Sequence, residues 1–457
     1  MERSNTSPIF YLSWHFTGAY GHEMLKTPRL DALAARGMRF DAAYCNSPLC
    51  APSRFSMMAG QLISKIGAYD NASEFAASIP TFAHYLKSLG YRTCLFGKMN
   101  FIVSDQMHGF ESRVTTDIYL SDFAWTPNWQ QADERIDKWY HNMQTVKESG
   151  QAMASFQIDY DDEVEFAAKR KLFDYARDGP KPWCMVASFI HPHDPYVARP
   201  ECWDLYSDEE IDMPRHPAYA TDAFGQWVLE GIEAYSKPLT EEEVRRARRA
   251  YYANVSYFDS KIGALVQTVE EMGQLDNTII IVTADHGDML GEKGLWYKMN
   301  FFEHSARVPL IMAGPGVARG QTANACSLVD LLPTMVEIGG GTADMFGMPV
   351  DGRSLMALAR GEDDGVSEAI GEYCAEMTGH PVFMIRRGDM KYIHCDSDPA
   401  QLYDLANDPW ELENLADHPA YRVIAEGFAQ EVVQRWDSAA LRDKVMATQK
   451  NRFALNA

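Results

Sequence analysis

At 457 residues with 46% apolar content, the chain has enough material for one large core plus a smaller appended unit, and it is too apolar to stay disordered. A net charge of −22 argues against a nucleic-acid surface and against docking on an anionic membrane, and no apolar run approaches spanning length. Eight cysteines without regular spacing fit reduced thiols better than a disulfide or zinc framework, and residues 1–7 lack an export signal, so the reading is a cytoplasmic protein.

In chain order, residues 9–12 read as a short buried strand, followed by a loop with Gly18 and Gly21. Thr27 and Pro28 open a helix with Leu30, Leu33 and Ala34 on one face, stopped by Gly37. Next comes Cys50-Ala51-Pro52-Ser53-Arg54, at the mouth of a helix whose apolar positions Phe55, Met58 and Leu62 recur at helical spacing. A helix over 81–89 and a strand over 92–96 lead into Gly97-Lys98-Met99-Asn100. Lys98 therefore falls in a loop at the carboxyl end of a strand, where open α/β sheets bind ligands.

Residues 105–150 are polar and aromatic, with Trp125, Trp129, Trp139, Tyr140 and His141, and read as a long excursion over the active face. A strand over 183–189 runs into His191-Pro192-His193-Asp194-Pro195. Residues 241–273 carry a long amphipathic pattern through Ala250, Val255, Phe258, Ile262, Leu265 and Val269, and the β-branched run 278–283 predicts a central strand ending in Asp285-His286-Gly287. After Gly352 the texture changes: 383–387 and 391–394, joined through Gly388-Asp389, read as a hairpin, and 420–436 as a helix. The expected organisation is an α/β domain over 1–365, with a large, mostly parallel sheet flanked by helices, and a small α+β subdomain of hairpin plus helix over 366–457.

A cysteine, a hydroxyl and a guanidinium within five residues at a helix N-terminus is nucleophile chemistry where partial positive charge favours an anion. The string C-x-P-S-R resembles the signature of the sulfatase family. The resemblance covers nearly the whole chain and is nearest to the choline sulfatases, in strings such as Thr115-Thr116-Asp117-Ile118-Tyr119, His191 through Tyr196, Asp285 through Trp296 and Gln401-Leu402-Tyr403-Asp404-Leu405. It implies an alkaline-phosphatase-like fold and hydrolysis of a small sulfate ester, including one with a cationic alcohol.

The same resemblance implies the site. A formylglycine-generating enzyme, or another sulfatase-maturation system, would oxidise Cys50 to formylglycine, whose hydrated aldehyde attacks sulfur. Arg54 and Lys98 would hold the nucleophile and sulfate oxygens, Lys298 would span sulfate and bridging oxygen, His193 would protonate the leaving group and Asn71 would line the site. Asp285, His286 and the modified Cys50 would hold a divalent metal, calcium in the family pattern. Trp125, His141 and Glu376 match the pocket for a trimethylammonium group, where aromatic faces and a carboxylate attract a cation. Asn100 stands where the family has histidine, on the substrate-binding side. A homo-oligomer is a further expectation.

Two departures keep other readings open. The first strand ends in Ser13-Trp14-His15, where the family carries a metal-binding aspartate pair or Asp-Gln, and the chain stops at Ala457, short of the family's tail. Alternatives are a phosphonate monoester or phosphodiester hydrolase, since the same site accepts tetrahedral phosphorus, and a catalytically impaired sulfatase-like protein with an incomplete metal site.

Overall fold

The computed structural model describes residues 5–10, 17–102, 104–119, 122–132, 141–216 and 223–456. The expectations placed on Ser13, Trp14 and His15 and on Trp139 and Tyr140 lie outside those residues.

A nine-stranded sheet runs in the order Gly320–Thr322, Met38–Tyr44, Arg307–Ala313, Thr278–Thr283, Asn5–Phe10, Trp183–Ser188, Arg92–Gly97 and Ser112–Arg113, with Cys326–Ser327 also paired to Met38–Tyr44. Trp183–Ser188 and Thr278–Thr283 are buried at every position, as continuous apolar runs in a sheet covered on both faces should be. The first strand begins earlier than residues 9–12. Pro8 argues for a boundary by removing a backbone donor, yet Asn5 through Phe10 pair in unbroken register with Thr278 through Thr283, so tertiary pairing overrides the local signal.

Every pairing in this sheet is parallel except those of Arg307–Ala313, which runs antiparallel to both neighbours. A parallel return needs a crossover that carries the chain back along the sheet. The segment following Thr278–Thr283 stays instead at the carboxyl end of the sheet, and the chain re-enters from that end.

Two groups of helices flank the sheet: Pro28–Arg36 and Phe156–Arg177 each pack on Glu241–Glu271, and Cys50–Ala59, Phe82–Ser88 and Leu331–Ile338 pack on one another. Helix Glu241–Glu271 starts at a reciprocal capping box between Thr240 and Glu243 and buries all six apolar positions of its stripe. Helix Phe156–Arg177 is poorly announced by sequence for a physical reason. Phe156, Phe166 and Phe173 are exposed, which blurs the amphipathic period, although Ile158, Val164 and Leu172 are buried.

The C-terminal region is larger than a hairpin plus a helix. Val382–Arg387 and Met390–Cys395 do form the hairpin, but Glu368–Tyr373 and Asp398–Asp404 flank it in a four-stranded antiparallel sheet, and helix Ser438–Asn456 follows Arg422–Arg435. The added strands contain Gly371 and Pro399, which weaken an intrinsic strand signal. Buried polar contacts tie this unit to the main sheet: Lys391 donates to Glu303 at 2.9 Å and pairs with Glu411, while Asn46 Nδ2 donates to Ile370 O at 2.7 Å.

Candidate active site

Four strands end side by side, with Phe10 in register with both Thr283 and Ser188, and Gly97 in register with Ser188. The loops that follow carry Asp285 and His286, His193, and Lys98. Gly97 holds a left-handed φ of 87°, and a Cβ there would lie 1.8 Å from Ser188 O, so only glycine lets the two strand ends meet. The loop beyond is clamped by one carboxylate: Asp117 accepts from the N–H groups of Met99, Asn100 and Phe101 at 2.6, 2.8 and 3.2 Å, and Arg113 pairs with it.

Helix Cys50–Ala59 is buried on all sides and opens at the nucleophile candidate. Cys50 Sγ lies 3.3 Å from His286 Nε2, 3.5 Å from Lys98 Nζ and 3.9 Å from His193 Nε2. Burial would push the thiol up, but Lys98, Lys298 and His286 outweigh it and hold the group well below its ordinary value. Asn71 Oδ1 accepts from Ala51 N–H at 3.0 Å and so fixes the first turn.

A cavity of about 240 Å³ opens above Cys50. Of the residues singled out in sequence, Cys50, Asn71, Lys98, Asn100, Trp125, His141, His193 and Glu376 line it, together with Tyr119, Asn142, Thr145 and Asp194. Arg54, Asp285, His286 and Lys298 lie outside that lining. Arg54 is fully buried and braces the loops: it donates to Asp285 Oδ2 at 2.9 Å, to Lys98 O at 2.5 Å and to Ser188 Oγ at 2.7 Å.

Asp194 joins two imidazoles. Its carboxylate lies 3.0 Å from His193 Nδ1 and 3.3 Å from His141 Nδ1, and His141 stacks on Tyr297 with ring centroids 4.5 Å apart. Burial works against the Asp194 anion, but the two histidines hold its pKa well below the usual carboxylate range. Burial and Lys298 push His141 down to about 4, so at neutral pH it is an uncharged ring donating to Asp194. For His193, burial and Lys298 act downward and Asp194 upward, with a net rise. Lys298 Nζ sits 3.0 Å from His193 Nε2, close enough for the ammonium to donate to that nitrogen when the imidazole is neutral.

Glu376 is buried, its Oε2 has no partner among the described residues, and burial, with the nearby Asp70 adding to it, raises the carboxyl to about 7. Asp70 is itself held by the guanidinium of Arg452, 382 residues away on helix Ser438–Asn456, with one contact at 2.6 Å. The same helix accepts Trp129 N–H on Gln449 Oε1 at 2.9 Å. Sequence reasoning marked the strings containing Asp117, Tyr119 and Asp194 but gave these residues no role. It gave none to Arg452 either, and no local signal could have supplied one.

Residues 11–341 match the model of the sulfatase family. The chain belongs to that family. Residues 291–437 also match the C-terminal model of N-sulphoglucosamine sulphohydrolase. The choline-sulfatase of Rhizobium meliloti (strain 1021) is 46% identical over 95% of this chain and 86% of its own length; the arylsulfatase of Clostridium perfringens is 27% identical over 89% and 88%. The phosphonate monoester hydrolase of Agrobacterium radiobacter superposes with a TM-score of 0.73 at 22% identity, covering 97% of this chain and 96% of its own, which shows the shared fold. This sulfatase is therefore a sulfuric-ester hydrolase. No helix among its described residues is long and apolar enough to cross a membrane.

Sulfatases generally use a divalent metal and a formylglycine, and the residues here fit such an ion in part. His286 Nδ1 is engaged by Gly287 O at 2.8 Å, which leaves Nε2 facing Cys50, 3.8 Å from Asp285 Oδ2. Asp285 supplies one carboxylate, already sharing Oδ2 with Arg54. Calcium takes about six to eight oxygens. Among the described residues this group offers far fewer, and the segment expected to complete it, around Ser13-Trp14-His15, lies outside them.

Proposed function

We propose that this sulfatase is of choline-sulfatase type and hydrolyses the sulfate ester of a small cationic alcohol, with choline sulfate as the reference substrate. The observation that carries this reading is the convergence of Cys50, Lys98 and His193, with Lys298 behind them, at the base of a cavity whose wall holds Trp125, His141 and Glu376. Two lysines give a chain of net charge −22 the local positive field that an anionic ester needs.

In this reading Cys50 is the position converted to formylglycine by a maturation system, and that group supplies the hydroxyl that attacks sulfur. Lys98 and Lys298 neutralise sulfate oxygens, and His193, oriented through Nδ1 by Asp194, presents Nε2 to the departing alkoxide. Asn71 holds the helix turn that presents the nucleophile, and Arg54 locks the loops carrying Lys98 and Asp285. Asp285, His286 and position 50 would hold the divalent ion, which would supply charge neutralisation at the nucleophile. Calcium is the ion the family pattern points to, and it requires oxygens beyond Asp285. Eight free thiols support a reducing, cytoplasmic setting.

The test pairs peptide mass with turnover. Protein co-expressed with a formylglycine-generating enzyme should carry an aldehyde at Cys50 and release sulfate from choline sulfate faster than from the uncharged isostere 3,3-dimethylbutyl sulfate. Equal turnover of both esters would remove the cationic headgroup from the reading. Faster cleavage of a phosphonate monoester than of any sulfate would replace the reading outright.

A further inference from the structure

The loop that carries His193 follows strand Trp183–Ser188, and a carboxylate from another element holds it. Asp161 stands in the second turn of helix Phe156–Arg177 and is 1% exposed. Its Oδ1 accepts from Ile190 N–H at 2.7 Å, and its Oδ2 accepts from His191 N–H at 3.0 Å and from His191 Nδ1 at 2.7 Å. A carboxylate offers only acceptors, so the last contact places a proton on Nδ1. The His191 ring is fully buried and meets Tyr257 of helix Glu241–Glu271 edge-on, with centroids 5.1 Å apart. Ile190, held by Asp161 through its N–H, accepts in turn from His193 N–H at 3.0 Å. Pairing two buried N–H groups accounts for the backbone contacts of Asp161. The imidazole contact goes beyond that, and it fixes a side chain two residues before His193.

The same helix face also holds the other side of the site. Gln157, Tyr160 and Asp161 lie three and four residues apart and so point the same way. Tyr160 Oη donates to Thr116 O at 2.6 Å, next to the Asp117 that clamps the Lys98 loop, and Gln157 Nε2 donates to Tyr119 Oη at 2.8 Å on the cavity lining. One helix thus sets the separation between the His193 loop and the Lys98 loop. Neither Asp161 nor His191 lines the cavity.

We infer that Asp161 is a positioning residue for leaving-group protonation: through Ile190 and His191 it holds His193 where Nε2 meets the bridging oxygen of the ester. It touches no reacting atom itself. The inference rests on the role given to His193 above and deepens it. A general acid displaced by about 1 Å loses on the order of 10²-fold in rate, and the loss falls on esters whose alkoxide must take up a proton to leave. A nitrophenolate leaves as the anion and is spared.

The experiment compares formylglycine-bearing enzyme with its Asp161→Asn variant on choline sulfate and on 4-nitrophenyl sulfate. For choline sulfate kcat should fall about 100-fold with KM unchanged, while for the aryl ester it should fall by less than about threefold. His191→Phe keeps a ring against Tyr257 and removes one of the three hydrogen bonds. It should give the same pattern with a smaller loss, and it decides the question if Asp161→Asn does not fold. Equal losses on the two esters, or a change confined to KM, would mean that Asp161 only supports the fold; the inference then falls and sulfate hydrolysis stands. If the parent enzyme cleaves choline sulfate alone, a fall in kcat at constant KM upholds the inference and any other outcome sinks it. No turnover of either ester by parent enzyme carrying the aldehyde brings down the sulfate-ester reading itself.

Discussion

At the floor of the cavity Arg54 is held by Asp285, Lys98 O and Ser188, and Asp194 by two histidines, whereas at the wall Glu376 Oε2 and Asn100 Oδ1 find no partner among the described residues. The floor comes from loops at the ends of adjacent sheet strands, and the wall comes from the excursion around Trp125 and His141 and from the C-terminal unit that carries Glu376. A fixed anion of one shape suits a rigid, fully hydrogen-bonded floor, since preorganised charges cost no rearrangement when the reaction occurs.

Four measurements would break or sharpen that contrast. Cys50→Ala should abolish sulfate release, a loss on the order of 10⁴-fold or more, since removing the nucleophile leaves only the residual effect of the oriented charges. Sulfate release that persists in this variant would detach the floor from the chemistry. Arg54→Met strips the partner from a buried Asp285 and should cost about 3–5 kcal/mol in denaturant unfolding, because the carboxylate is left uncompensated. A change below about 1 kcal/mol would mean that the floor is not braced as described.

The wall should respond more gently. Trp125→Ala should reduce the preference for a cationic over an uncharged ester by about 1–2 kcal/mol, read from the two kcat/KM values. No change in that ratio would take the ring out of the headgroup contact. Glu376→Gln should show its effect on stability through pH. The folded protein raises this carboxyl from an ordinary 4.5 to about 7, so between those values the folded state holds a proton that the unfolded state has lost. Parent stability therefore declines as pH rises through that window, and the Gln variant, which does not titrate, should gain in Tm relative to the parent from pH 4.5 to 7 and hold the gain above it. A constant difference across the window would show that Glu376 is not buried in this way.

The floor was more legible in sequence than the wall, for reasons visible in particular residues. Cys50-Ala51-Pro52-Ser53-Arg54, Gly97-Lys98 and Asp285-His286 each follow directly on a turn or a buried strand, so a short window contains both the element and the chemical group it presents. The same window does not show what a side chain reaches. The resemblance implies that Arg54 holds the nucleophile and sulfate oxygens, and the contacts its buried guanidinium makes come from distant segments. Its partners Lys98, Ser188 and Asp285 are 44, 134 and 231 residues away. The antiparallel strand Arg307–Ala313 was illegible for a related reason: its apolar run fixes burial, and burial is the same in either direction.

Sequence by itself determined which segments are buried, where strands give way to loops, and which reactive side chains those loops carry, because these depend on local periodicity and on residue chemistry. Only the tertiary structure decided that Asp194 is shared by His141 and His193, that Asp117 clamps the Lys98 loop, and that Arg452 reaches Asp70 across the molecule. Those contacts join segments far apart in the chain, and a hydrogen bond depends on distances of a few tenths of an ångström that only the packing of the whole chain sets.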